Sequence, residues 1–144
     1  MNMAHVCKVD STVAVTDRTL RDRLSAMNAD VMRAAGFAPE GEFDPFYVGP
    51  VVLAVLADRT VLTAVYDGSL VMGNMLNAAK SLGVDSIWIH RAKEVFDTEE
   101  GKAILTSLGV EGDYEGIGNC VLGYAATPVG EGAPRKDKRV FWAE

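Results

Sequence analysis

The chain is short of the residues that build staples and metal cages. Its 144 residues include two cysteines, Cys7 and Cys120, and two histidines, His5 and His90. Two cysteines do not make a disulfide framework. The opening Met1-Asn2-Met3-Ala4-His5-Val6 lacks a basic region followed by an apolar one, so reduced thiols in a cytoplasm are the expectation. No tight ligand spacing joins the cysteines to the histidines, which argues against a metal centre. Positive charge is also scarce, with 14 Lys and Arg against 20 Asp and Glu and a net charge of -6. A nucleic-acid surface needs a basic stripe. Here Arg18, Arg21, Arg23 and Arg33 alternate with Asp17, Asp22 and Asp30. Long apolar runs are missing as well. The best candidate, residues 61–82, is interrupted by Asp67, Asn74, Asn77 and Lys80, so it reads as a core helix and not a membrane span.

What the sequence does hold is enough apolar material, 49 % of residues, for one real core. The expectation is a single domain over 1–144, with 1–10 and 128–144 as extended arms. Ser11-Thr12-Val13-Ala14-Val15 reads as a strand. Asp17 or Thr16 can cap a helix whose apolar stripe is Leu20, Leu24, Met27 and Val31, with Gly36 as its stop. Arg18, Arg21, Asp22 and Arg33 fall mostly off that stripe and should meet water. Residues 37–49 are loop-like, yet Phe43, Phe46 and Tyr47 make them too aromatic for a plain linker. These rings need a surface, in this core or on a second subunit.

Val51-Val52-Leu53-Ala54-Val55-Leu56-Ala57 is a continuous apolar run, the pattern of a strand covered on both faces. Residues 60–82 predict a long helix, apolar nearly all round and so central. Its Gly68, Ser69, Gly73, Ala78 and Ala79 suit close approach by another helix. Asp85-Ser86-Ile87-Trp88-Ile89-His90 reads as a strand. Asp97-Thr98-Glu99-Glu100 has the form of a capping box with Asp97 as the cap, opening a helix to about Leu108. Val121-Leu122-Gly123-Tyr124-Ala125 is a last strand, followed by a charged tail that ends in apolar Val140-Phe141-Trp142. The whole predicts an α+β, α/β-like domain, with a central, mainly antiparallel sheet flanked by helices.

Familiar nucleotide motifs fail. Gly101-Lys102 lacks the glycine five residues earlier, where Phe96 stands, and Ala103 replaces the hydroxyl residue of a P-loop. Gly109, Gly112, Gly116 and Gly118 do not fit the dinucleotide fingerprint. Nor is there a Gly-x-Ser-x-Gly elbow.

Four segments in order carry a resemblance. They are the run from Tyr66 through Gly68, Gly73 and Asn74 to Ala79, then Leu82-Gly83-Val84-Asp85-Ser86-Ile87-Trp88-Ile89-His90-Arg91, then Glu99-Glu100-Gly101-Lys102-Ala103-Ile104-Leu105 with Gly123-Tyr124, and Pro134-Arg135-Lys136 with Arg139-Val140. Together they resemble the FMN-dependent nitroreductase-like proteins. The resemblance implies a homodimer with FMN in two clefts between subunits, and NAD(P)H as reductant of a small electrophile such as a nitroaromatic or quinone.

It further implies that Trp88, Ile89, His90 and Arg91 follow the flavin edge. Arg135, and less strongly Lys136, matches a tail cation that reaches the FMN phosphate. Asn2 matches a possible flavin contact. The family's N-terminal Arg-Arg-Ser-type phosphate grip has no counterpart, so the chain reads as an N-terminally truncated version. That departure leaves open a flavin-free homodimer acting as a binding or accessory module.

Overall fold

A computed structural model describes residues 11–127 and 130–143. Strand β1 is Ser11–Val15, helix α1 Arg18–Ala34, β2 Val51–Asp58, α2 Ala64–Ser81, β3 Asp85–Ile89, α3 Ala92–Asp97, α4 Glu99–Ser107 and β4 Tyr114–Gly123. The strands form one antiparallel sheet in the order β1-β2-β4-β3. Nothing in this arrangement needs a parallel crossover, so the expected mixture of sheet and flanking helices takes its α+β form.

Both faces of β2 are covered, and that is why it is apolar from Val51 to Ala57. On one face Val52, Ala54 and Leu56 join Val15, Leu24, Phe46 and Phe96 in the larger core. On the other face Val55 joins Met72 and Cys120, with Leu53 and Trp88 packed alongside. α1, α3 and α4 thus cover one face and α2 the other. The β2–β4 register shifts between Val55 and Leu56, where β4 accommodates the extra residue Ile117. Such a bulge sharpens the local twist. α3 settles against β4 at Gly116, where a side chain would run into the Ala92 carbonyl.

Several local expectations are corrected. α2 is not central: Gly68, Met72 and Ala79 face the sheet, but Val65, Tyr66 and Leu70 are exposed. Gly68 serves packing within the chain, because a Cβ there would collide with Ile117. A Cβ at Gly73 would meet nothing within 4 Å. α4 is capped by Thr98, whose hydroxyl accepts from the Gly101 N–H at 2.9 Å. Asp97 is instead the last residue of α3 and pairs with Arg59, while Glu100 reaches Arg23 at 2.6 Å. Both carboxylates of the expected box are therefore used elsewhere. β3 ends at Ile89 and leaves His90 in the turn, whereas β4 starts earlier than expected, at Tyr114. Residues 130–143 form no helix or strand, and Phe141 and Trp142 are 84 % and 85 % exposed.

Candidate active-site cavity

Alternation along β3 divides its side chains between the two faces of the sheet. Ile89 packs toward the larger core and Trp88 toward the α2 side. The strand then breaks at His90 and Arg91. Arg91 takes a left-handed backbone, φ 77°, and leads into α3. A non-glycine residue is rarely found there, so surrounding contacts must hold it.

Those contacts start on α1. Arg21, Ser25 and Asn28 recur at helical spacing and form a polar stripe that is 7 %, 5 % and 0 % exposed. Asn28 donates from Nδ2 to the His90 carbonyl at 2.8 Å. Its Oδ1 is buried with no hydrogen-bond partner among the described residues. Arg21 donates to the Gly49 carbonyl at 3.0 Å and to Asp44 Oδ2 at 2.6 Å. Asp44 also accepts from Ser25 and from the backbone N–H groups of Phe46 and Val48. These bonds fasten a loop in which Tyr47 and Val48 are left-handed, at φ 50° and 53°. For β-branched Val48 that conformation is a true outlier. Arg21 was expected in water; it is buried because its partner arrives from a distant loop that helical periodicity cannot reveal.

Between these two fastened segments lies a cavity of about 330 Å³. The loop contributes Phe37, Phe43, Pro45 and Tyr47, α1 contributes Met32, and the strand end contributes Trp88, Ile89, His90 and Arg91. It is largely apolar, with most of its polar groups on the strand-end turn and the Tyr47 side chain adding a hydroxyl from the loop. Arg91 lies over the Phe37 ring at 5.5 Å and donates to Glu94 at 2.7 Å. The Trp88 and His90 rings are 5.6 Å apart. A second recess, of about 300 Å³, adjoins the same turn on the α2 side, where Val65, Ser69 and Lys93 join Trp88, His90 and Arg91.

Ionisation follows from these neighbours. Burial would raise the Asp44 pKa, but hydrogen bonds from Arg21, Ser25, Phe46 and Val48 outweigh it and hold it at about 2. Burial likewise opposes the charge of Glu94, yet Arg91 beside it brings its carboxyl below the usual range. Burial pushes the Cys120 thiol up, away from the reactive thiolate. Among the described residues no group of three or more His, Cys, Asp or Glu side chains is placed to hold a metal ion.

The structure gathers Trp88, Ile89, His90 and Arg91 around one cavity. It does not bring Arg135 or Lys136 there: both are exposed in the C-terminal stretch and neither lines the cavity. Asn2 lies outside the described residues. The aromatic excess of 37–49 marked the opposite wall, although Met32 and the fastening role of Arg21 and Asn28 left no sequence signal.

No protein-family model and no curated protein matches the sequence. Solved structures do. A nitroreductase with bound FMN from Bacteroides fragilis is 26 % identical, with a TM-score of 0.75, over 93 % of this chain and 75 % of the other. A nitroreductase with bound FMN from Desulfitobacterium hafniense is 20 % identical, with a TM-score of 0.73, over 92 % and 74 %. Iodotyrosine deiodinase bound to FMN and 3-iodo-L-tyrosine shares the fold at 16 % identity and a TM-score of 0.68, over 93 % and 76 %.

Proposed function

We propose that this chain, which has the fold of the FMN-bound nitroreductases, is an FMN-dependent oxidoreductase, working as a homodimer, that uses NADH or NADPH to reduce a small electrophile such as a nitroaromatic or quinone. The observation that carries the reading is the cavity between residues 37–47 and the turn from Trp88 to Arg91.

Its walls suit the ring system of FMN. Phe37, Phe43, Pro45 and Tyr47 offer flat apolar surface, against which an aromatic ring stacks with water excluded. The backbone from Trp88 to Arg91 supplies polar groups along one edge. The Arg91 guanidinium adds positive charge that favours an electron-rich ring. When bound, FMN would supply the redox chemistry itself. The protein's part is to hold the ring, shield it from water and bias its charge. The phosphate is assigned to Arg135, with Lys136 second, since a guanidinium offers it paired donors; Asn2 is assigned a flavin contact.

Exposure of the site's outer wall supports a homodimer. Phe37 and Tyr47 are 67 % and 63 % exposed, and Leu62, Tyr66, Leu70, Phe141 and Trp142 also lie open. So much apolar surface is costly in water and is the usual mark of an interface. A second copy covers the open side of α2 and receives the apolar tail.

Purified protein tests the reading directly. It should be yellow, with flavin absorbance near one per chain, and should oxidise NADH or NADPH faster when a nitroaromatic or quinone is added. Protein that stays colourless in added FMN would overturn it. The second reading, a flavin-free dimer acting as a binding module, is favoured by one observation: among the described residues lining the cavity, Arg91 is the one permanent cation. Light scattering that shows a dimer in such colourless protein would select it.

A further inference from the structure

Asn28 is an unusual residue for its place. It is fully buried in the middle of α1, and its Oδ1 has no partner among the described residues. Filling space there would be done better by an apolar side chain, because an unpaired buried polar atom is costly. What Asn28 does provide is a donor, 2.8 Å from the carbonyl of His90. That carbonyl belongs to the peptide between His90 and Arg91, two residues that line the cavity. The peptide precedes the left-handed Arg91.

A trans peptide is planar, and its C=O and N–H point in opposite directions. Holding the His90 carbonyl against α1 therefore fixes where the Arg91 N–H points. We propose that Asn28 is a positioning residue of the ligand site, locking the His90–Arg91 peptide so that the Arg91 N–H is presented as a donor to the edge of a flat, electron-accepting ring. This deepens the flavin reading and rests on it for the identity of the ring. Asn28 itself touches no ligand. It acts through one backbone unit whose strained neighbour would otherwise relax into the extended region.

The test compares Asn28→Leu, which keeps the branching and the number of side-chain heavy atoms but removes the donor, with Asn28→Asp. A protonated aspartic acid can donate to the carbonyl through its O–H, whereas an ionised one cannot. In protein free of flavin, Asn28→Leu should move the amide resonance of Arg91 more than those of the residues of β3. With FMN bound, the more electron-rich reduced ring accepts the stronger hydrogen bond. Losing the donor should therefore weaken reduced relative to oxidised flavin by about tenfold, which lowers the two-electron midpoint potential by about 30 mV. Asn28→Asp should regain the wild-type potential as the pH falls and lose it as the pH rises. A purely packing role would leave the potential of both variants unchanged.

Wild-type potentials in Asn28→Leu, or in Asn28→Asp at every pH, would overturn the proposal. If Asn28→Leu does not fold, the pH profile of Asn28→Asp decides. Should the wild-type protein take up no FMN, the flavin reading fails by itself. The Arg91 resonance then decides the role of Asn28, and an unmoved resonance rejects it.

Discussion

Arg21 donates from Nη2 to Oδ2 of Asp44 at 2.6 Å, joining the buried face of α1 to the loop that walls the cavity. The guanidinium also lies over the Phe46 ring at 5.5 Å and donates to the Gly49 carbonyl and to Asp22, so its charge is used by four partners. Asp44 in turn carries two backbone N–H groups of a loop whose next residues are left-handed. The pair is a clamp on a strained wall, and its strength should show in the pH dependence of stability.

The Asp44 carboxyl is held at about 2 in the folded protein, against about 4 for an unfolded aspartate. A depressed folded value contributes stability that is complete above the unfolded pKa and disappears as the pH falls through the folded one. The gap corresponds to about 2 kcal/mol. Asp44→Asn should therefore lose about 2 kcal/mol at pH 7, and its stability should fall less than that of the wild type between pH 4 and pH 2. Urea titrations at neutral and acidic pH measure both. Parallel acid limbs for the two proteins would count against the clamp.

The clamp also shows where sequence reasoning stops. Helix α1 was legible because its apolar residues follow one period, and strand β2 and helix α2 because each is a sustained apolar stretch bounded by turn residues; Trp88 to Arg91 were singled out through resemblance. Arg21 was not, since helical position alone assigns it to solvent, and Asp44 lies 23 residues away. Helix α3, six residues long, is too short to display a period. The expected cap at Asp97 failed for the same kind of reason. Arg59 claims that carboxylate from a distant strand end, leaving Thr98 to cap α4. Long-range pairing of charges decides these cases, and local pattern does not encode it.

Two glycines in β4 should respond differently to the same methyl group. In Gly116→Ala the new Cβ meets the backbone of Ala92 and Lys93, which no rotamer change can clear. In Gly118→Ala it meets the Trp88 indole, which can shift. Overpacking typically costs about 1–3 kcal/mol, and Gly116→Ala should lie at or above the top of that range. Gly118→Ala should cost less but change the Trp88 emission, read in a Trp142→Phe background. Equal stability losses with unchanged fluorescence would contradict the close packing of α3 and Trp88 on β4.

Gly73 separates the properties of one chain from those of a pair. A Cβ there meets nothing within 4 Å among the described residues, so Gly73→Ala should stabilise the isolated subunit by about 0.5–1 kcal/mol through helix propensity. A larger side chain would obstruct a second α2 approaching over Gly73 and Ala78. Gly73→Leu should thus raise the dimer dissociation constant by at least about tenfold, the equivalent of about 1.4 kcal/mol, while leaving the subunit folded. Sedimentation over a concentration series reads this. A wild-type chain that is monomeric at micromolar concentration would remove the homodimer from the proposed function.

Arg135 is exposed to solvent. Within the chain it lies in a stretch without helix or strand and makes no contribution to the cavity wall. Its proposed role therefore requires the tail to find the FMN phosphate in the assembled dimer. A charge-assisted hydrogen bond is worth about 1.5–3 kcal/mol, so Arg135→Ala should weaken FMN binding by roughly 10- to 100-fold. Riboflavin, which has the same ring and no phosphate, should bind the variant and the wild type equally. A loss for both ligands would assign Arg135 to the architecture of the site and not to the phosphate. Unchanged FMN affinity would remove it from the site altogether.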